Sequence, residues 1–399
     1  MSEMVERPAM NDSLSAQALM THVEALATAI GPRPAGQPEE ARARQYIRYA
    51  LSDAGLTEVE EMPFPAPNTW GYAVAVPVLI GLMASALSRR GWLARLVGGA
   101  AALHAAYALQ QAMRSQKQPY RFLFPSGQSG NLIARIPAAE TPRRRVVLIG
   151  HIDSNKHRLS FTPTFKPLMR SGATAAIAFT ALNGLAQMLN LKGLRRLSEW
   201  GMGASLATFL ADELGGFVEG ANDNASAVAC LLGLGAHLAQ NPLKNTEVWL
   251  AFTGAEESGC LGLHHLLDVY RETLADAWFV DFEMVGAGQI AYVTRHSGFS
   301  HLSEYEPDPE SLAWALETAR RNPAMSVRGA QMTMTEEVGA LRGRGFRGIC
   351  LAGVGEDGWL VNWHQYSDTA YNIDPAALEK AARFGLAMLH TLDERQTLP

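Results

Sequence analysis

The stretch Asn245 to Gly259, NTEVWLAFTGAEESG, constrains this chain more than any other. Its run from Val248 to Phe252 is apolar and rich in β-formers, ends in a small-residue turn, and delivers two adjacent carboxylates, Glu256 and Glu257, to the strand's C-terminal edge. Open α/β sheets keep their sites at that edge. Neighbouring residues leaving a strand point in different directions, so one glutamate can hold a metal while the other faces water or substrate. An isolated Glu-Glu pair is otherwise a solvated acidic turn. What the rest of the chain places beside the pair decides between the two.

Other strand-like runs fall at 57–64, 131–136, 145–149, 277–283 and 348–352. Helical patterns fall at 15–55, broken at Gly31-Pro32-Arg33-Pro34, and at 225–240, 261–274, 309–321 and 375–392. This alternation implies a sheet covered on both faces. With 399 residues, 48% of them apolar, and a formal net charge of -5, the chain can bury a large core. The same balance argues against disorder and against a nucleic-acid surface, which needs a basic excess. Cys230, Cys260 and Cys350 are too few and too scattered for a disulfide framework or a paired-cysteine metal site, and read as buried thiols. The polar start, MSEMVERPAMNDS, lacks the features of a cleaved export signal, so a cytoplasmic or membrane-associated protein is expected.

Uncharged stretches at 68–88 and 96–113 flank the basic cluster Arg89, Arg90 and Arg95, and a second pair at 171–191 and 201–211 flanks Lys192, Arg195 and Arg196. Each pair reads as a helical hairpin. The longer stretches suffice to cross a bilayer, but their Ala, Gly, Thr, Asn and Gln content suits close helix packing in water equally well. A membrane anchor, a soluble helical cap and a homodimerisation arm all fit. The expected division is a catalytic unit from 1–66, 118–159 and 219–399, with apolar helical insertions at 67–117 and 160–218.

The strand at 145–149 runs into Gly150-His151-Ile152-Asp153. His151 is positioned to ligate a metal, with Asp153 available to accept a hydrogen bond from its other ring nitrogen. Asp223, in GANDNAS before a helix, is either an N-cap or a metal-bridging carboxylate. Asp281 and Glu283 end a strand, and His364 follows the last one. Every one of these groups lies at an expected strand end or in a following loop.

In this order the motifs GPRPAG, VVLIGHID, GANDNASAVA, VWLAFTGAEESGCLG, FEMVGAG and WHQYSDTAYNID resemble the M28 family of zinc peptidases. The resemblance implies a three-layer α/β/α sandwich of the phosphorylase/hydrolase type, with a mixed, mostly parallel sheet, plus the inserted helical hairpins. It also implies two Zn2+ ions and a peptide substrate. One zinc would be held by His151, Asp223 and Glu283, the other by Asp223, Glu257 and His364, with Glu256 as general base on a bridging water and Asp153 as the second catalytic residue, supporting His151. A shared carboxylate suits two closely spaced cations, and nitrogen and oxygen donors without thiolates suit zinc. Glu283 stands where the family usually has Asp, and Asp281 is the alternative. Either Glu336 or Glu337 meets a substrate amine, or both lie in a solvated loop.

An aminopeptidase is the expected activity. A carboxypeptidase or dipeptidase would need a cation for the substrate carboxylate, from Arg342, Arg344 or Arg347. A glutaminyl-cyclase-like acyltransferase would keep one zinc, and a binding scaffold would have lost ligands. Gly343 to Gly348 spells GxGxxG but precedes a strand, where a dinucleotide fingerprint must follow one.

Overall fold

A computed structural model describes residues 12–395, so most of the polar N-terminal stretch, on which the expected lack of an export signal rests, lies outside the described residues. After helices α1 (Ala16–Val23) and α2 (Pro38–Asp53) come strands β1 (Val59–Ala66), β2 (Gly127–Ile136) and β3 (Arg144–His151). Helices α3 (Gly71–Leu87) and α4 (Trp92–Ala112) separate β1 from β2, and α5 (Met169–Met188) and α6 (Lys192–Asp212) follow β3. The chain continues through α7 (Ser226–Gln240), β4 (Thr246–Thr253), α8 (Leu261–Val269), β5 (Trp278–Glu283), β6 (Gln289–His296) and α9 (Pro309–Arg321). It closes with β7 (Arg328–Met332), α10 (Glu337–Gly343), β8 (Ile349–Val354) and α11 (Pro375–Asp393).

The strands form one sheet in the order β1-β2-β4-β3-β5-β8-β6-β7. Its centre is parallel, β4 and β5 flanking β3 and β8 following β5, while β2 and β6 turn antiparallel beside it. Strands buried on both faces read as continuous apolar runs. On β3, Val146 and Leu148 join the core beneath α2, α7, α9 and α11, whereas Val147 and Ile149 join the opposite core beneath α8 and α10. The expected sandwich is thus the observed fold. Three elements have no sequence counterpart: β6, β7 and α10. The edge strand β7 carries little apolar signal because most of its side chains are not buried.

The two hairpins, separate in sequence, pack into one four-helix bundle, with α4 against α5 and α6 closing back on α3. Small residues permit the approach. A Cβ on Gly99 or on Gly184 would sit 2.8 Å from the other's carbonyl oxygen. Near the sheet the bundle interior is apolar, built from Val74, Val78, Leu109, Ile177 and Met202. Towards the hairpin tips it is polar: Asn183 Nδ2 donates to Ser198 Oγ at 3.0 Å and Gln187 Nε2 to Asn183 Oδ1 at 2.6 Å. Outside, large apolar side chains face outwards, among them Trp92 at 68% and Trp200 at 81% exposure. Among the described residues one helix, Gly71–Arg90, is long and apolar enough to cross a membrane, with mean hydropathy 1.8 and half of that stretch buried in the protein.

Because each hairpin covers the other's apolar side, removing residues 71–113 alone should uncover α5 and α6. That variant is expected to aggregate and melt at lower temperature than one in which both hairpins are replaced by short linkers; equal behaviour in light scattering and thermal melts would contradict the packing. The foot of the first hairpin is pinned by His264, whose Nε2–H donates to the Ser115 carbonyl at 2.8 Å. Burial lowers this imidazole from 6.5 to about 4. The unfolded chain takes the proton first, so the stabilisation is complete above about pH 6.5 and is lost as pH falls towards 4, by at most about 1.4 kcal/mol per unit. Urea titrations across that window should show a shallower pH dependence in His264→Gln.

Candidate metal centre

Strands β4, β3 and β5 are parallel neighbours, so their C-terminal ends open on one side of the sheet. His151 is the last residue of β3, Glu283 is the last of β5, and Glu256 and Glu257 occupy the turn after β4. Asp223 enters from the loop before α7 and His364 from the loop between β8 and α11. Three residues here take left-handed backbone angles without being glycine: Ala255 (φ 53°), Met284 (φ 50°) and His364 itself (φ 51°). Such conformations are costly and collect where surrounding structure fixes a functional geometry.

The side chains converge. His151 Nδ1 donates to the Asp153 carbonyl oxygen at 2.9 Å, which leaves the Nε2 lone pair free. That nitrogen lies 3.2 Å from Asp223 Oδ1 and 3.6 Å from Glu283 Oε2. On the other side of the same carboxylate, His364 Nε2 lies 3.3 Å from Asp223 Oδ2 and 3.2 Å from Glu257 Oε2. Donors bound at ~2.1 Å to one tetrahedral ion are roughly 3.4 Å apart, so these spacings suit ligands of a divalent cation, and one ligand atom each of His151, Asp223 and Glu257 lies within 4.8 Å of the others. His151 Nε2 and both oxygens of Asp223 are buried and have no hydrogen-bond partner, which suits them to ligate a metal. Asp223 does not cap α7; its own angles are non-helical and the helix starts without a side-chain cap. Nor is Glu257 in a solvated turn, being 8% exposed.

A supporting layer holds these groups. Asp153 faces away from the reacting space: its carboxylate accepts the backbone N–H groups of Glu256 at 3.0 Å and Glu257 at 3.1 Å, fixing the turn. Its carboxylate is 3.6 Å from His151 Nδ1, so the imidazole is oriented by the Asp153 main chain instead. Asp368 does for the Asp223 loop what Asp153 does for the glutamates, accepting from Asn222 N at 2.6 Å and Asp223 N at 3.1 Å. The fully buried Arg33 of the GPRP segment donates to the carbonyls of Ile152, Glu219 and Gly220, tying the loop after β3 to the loop that carries Asp223. Asn155 Nδ2 reaches Glu257 Oε2 at 2.5 Å, and Arg158 grips Asn155 Oδ1 and Glu213. Neither Asn155 nor Arg158 stands out in the sequence; both matter only because the chain after β3 folds back over the site.

Glu256 belongs to neither donor set. It is only partly buried, lines the pocket, and accepts the Cys260 thiol at 3.1 Å on Oε1. Burial raises its carboxyl well above the usual range, helped by Glu257 and Glu283 and opposed by His151. Burial also carries Glu283 up to about 7, while Glu257 and Asp223, outweighing burial, carry His364 up to about 9. So many acids and imidazoles in one dry space hold protons to offset their charge, and the same charge attracts cations. Asp281, the alternative to Glu283, is elsewhere: it groups with Glu336 and Cys350. Glu336 and Glu337 are buried rather than solvated, Glu336 beside His296 at 2.8 Å and Glu337 accepting from Thr253 at 3.0 Å.

Since Asp223 presents one oxygen to each set, Asp223→Asn is expected to lower metal content at both positions, whereas Glu257→Gln should lower it at one. Metal analysis of protein prepared without chelator checks this, and a fully loaded Asp223→Asn would contradict the shared carboxylate.

The model of peptidase family M28 matches residues 203–389, a span that holds Asp223, Glu256, Glu257, Glu283 and His364 but not His151 or Asp153. Among solved structures, a zinc aminopeptidase from Bacillus subtilis superposes with a TM-score of 0.58 at 14% identity, over 96% of this chain and 97% of that one. A leucine aminopeptidase precursor from Bacteroides thetaiotaomicron VPI-5482 gives 0.59 at 13% identity, over 96% and 98%. A glutaminyl cyclase from an Acidobacteriales bacterium gives 0.55 at 17% identity, over 99% of both. No curated protein sequence matches the chain. At these identities the structural likeness speaks for the fold alone, and it agrees with the match of residues 203–389 to peptidase family M28.

Proposed function

We propose that this protein is a di-zinc exopeptidase acting as an aminopeptidase. The observation that carries the reading is the pair of donor sets sharing Asp223, with the glutamate Glu256 left free between them and the pocket. Zinc ions held by His151, Asp223 and Glu283 and by Asp223, Glu257 and His364 would polarise a scissile carbonyl and acidify a water. Glu256 is the proton carrier. Its Oε1 is engaged by Cys260, so Oε2 takes the proton from the attacking water and returns it to the leaving amine. Asp153 keeps that carboxylate in place by fixing its backbone, and Trp70, Phe161 and Trp363 line a pocket of only about 40 Å3 that limits bulk water.

The charge of the lining favours an amine over a carboxylate. Asp223, Glu256, Glu257 and Glu283 face the pocket, and its one arginine, Arg158, is already bound by Glu213 and Asn155. The arginines a carboxypeptidase could recruit are committed elsewhere, Arg344 to Asp268 and Arg347 to Glu310, while Arg342 bonds the Phe346 carbonyl. The full complement of donors disfavours a binding scaffold. A glutaminyl-cyclase-like activity remains the rival on fold, and metal number separates the two.

Purified protein is expected to contain about two zinc ions per chain and to release N-terminal residues from short peptides, with the activity lost on chelation and restored by zinc. Glu256→Gln should cut kcat by about 10²- to 10⁴-fold without changing metal content. One zinc together with cyclisation of N-terminal glutamine would replace the aminopeptidase reading by the cyclase one.

A further inference from the structure

Two larger cavities flank the small catalytic pocket. One is an open cleft of about 960 Å3 that shares Phe161, Leu360 and Trp363 with it and includes Lys166, Arg328 and Asp357. The other, of about 630 Å3, runs between α5, α6 and the segment 159–168, and shares Trp70, Phe161 and Phe299 with the catalytic pocket. Its wall is apolar. Gly172, Ala173 and Ala204 leave the space unfilled, and the one ionisable side chain, Asp212, is occupied by Ser160 N at 2.8 Å and Ser160 Oγ at 2.6 Å. Leu159, Phe165 and Leu168, all lining the cavity, are also exposed, so it opens on the apolar flank of the bundle.

The partition between this cavity and the metal centre is one layer of aromatic rings. Phe161 lies 4.4 Å from the His364 ring and 5.9 Å from Phe299, which in turn lies 5.7 Å from Trp70. Phe161 and Phe299 line both spaces, and rotation of either ring is what would join them. Resting on the peptidase reading, we infer that the substrate carries a long aliphatic chain on the acyl side of the scissile amide, seated in the bundle cavity, while the amine side leaves through the open cleft. The assignment follows from chemistry: a peptide continuing beyond the scissile bond is polar and needs the solvated cleft, whereas a cavity without a free charge or an unpaired donor suits methylenes. At the ~30 Å3 that one water occupies, the volume has room for roughly twenty water-sized groups, which accommodates an aliphatic chain of about ten or more carbons. The chain belongs either to the side chain of an N-terminal amino acid or to a fatty acyl group.

The test uses the zinc-loaded full chain with two series of p-nitroanilides at concentrations below micelle formation, one of 2-aminoacyl groups and one of simple acyl groups, each from four to twelve carbons. In the series that matches the natural source, kcat/KM should rise about fourfold per methylene and level off when the cavity is full. Ala204→Trp, on the cavity wall and away from the metal ligands, should abolish the rise and leave the four-carbon substrate unaffected. Turnover of the short substrates with no gain from chain length would overturn the inference while the peptidase reading stands. No turnover in either series would count against the peptidase reading. The cavity is then decided by calorimetry, in which dodecanoyl hydroxamate should bind at least 100-fold tighter than acetohydroxamate to the parent and not to Ala204→Trp; equal binding overturns it.

Discussion

One buried carboxylate organises this molecule. Asp223 gives an oxygen to each of two imidazoles, and neither oxygen has a hydrogen bond from the rest of the chain. An ion of that kind is tolerated only where surrounding charge compensates it. The compensation fixes much else: the two histidines must face one another, strands β3 and β4 must end level, and the loop before α7 must stay put. Asp368 and Arg33 meet the last condition, one by holding backbone amides and the other by gathering carbonyls from two segments.

The centre was legible because strand ends announce themselves. His151, Glu256, Glu257 and Glu283 each follow a compact apolar run, and a parallel sheet brings such ends together without further information. Asp223 and His364 lie in loops, and the turn-forming residues around them pointed to the site. Asp153 is the instructive case. Its place was evident, but its work is to accept amides from the turn after β4, a contact between segments about a hundred residues apart. Asn155 and Arg158 left no mark, since their roles depend on a return of the chain that nothing local dictates.

The bundle shows the same limit from the other side. Composition located every helix within a few residues, apart from α6, which starts earlier and takes up Lys192 and Arg195. That the hairpins form one body could not be read, because the decisive contact is between two glycines, and glycine carries no periodic signal of its partner. The first hairpin supplies Trp70, Ala112 and Ser115 to the pocket, so this insertion shapes the space above the candidate metal ligands.

The polar interior near the hairpin tips has a further effect. Helices that meet through alanine and glycine alone can slide along one another at little cost, and a hydrogen-bonded asparagine or glutamine in the interior permits one axial register. Asn183 on α5 and Ser198 on α6 impose that register between these two helices far from the sheet. Each helix is stiff along its length, so the register travels to its foot. The spacing of α5 and α6 at the apolar cavity they wall near the sheet is therefore set in part at the opposite end of the bundle, through Asn183 and Ser198.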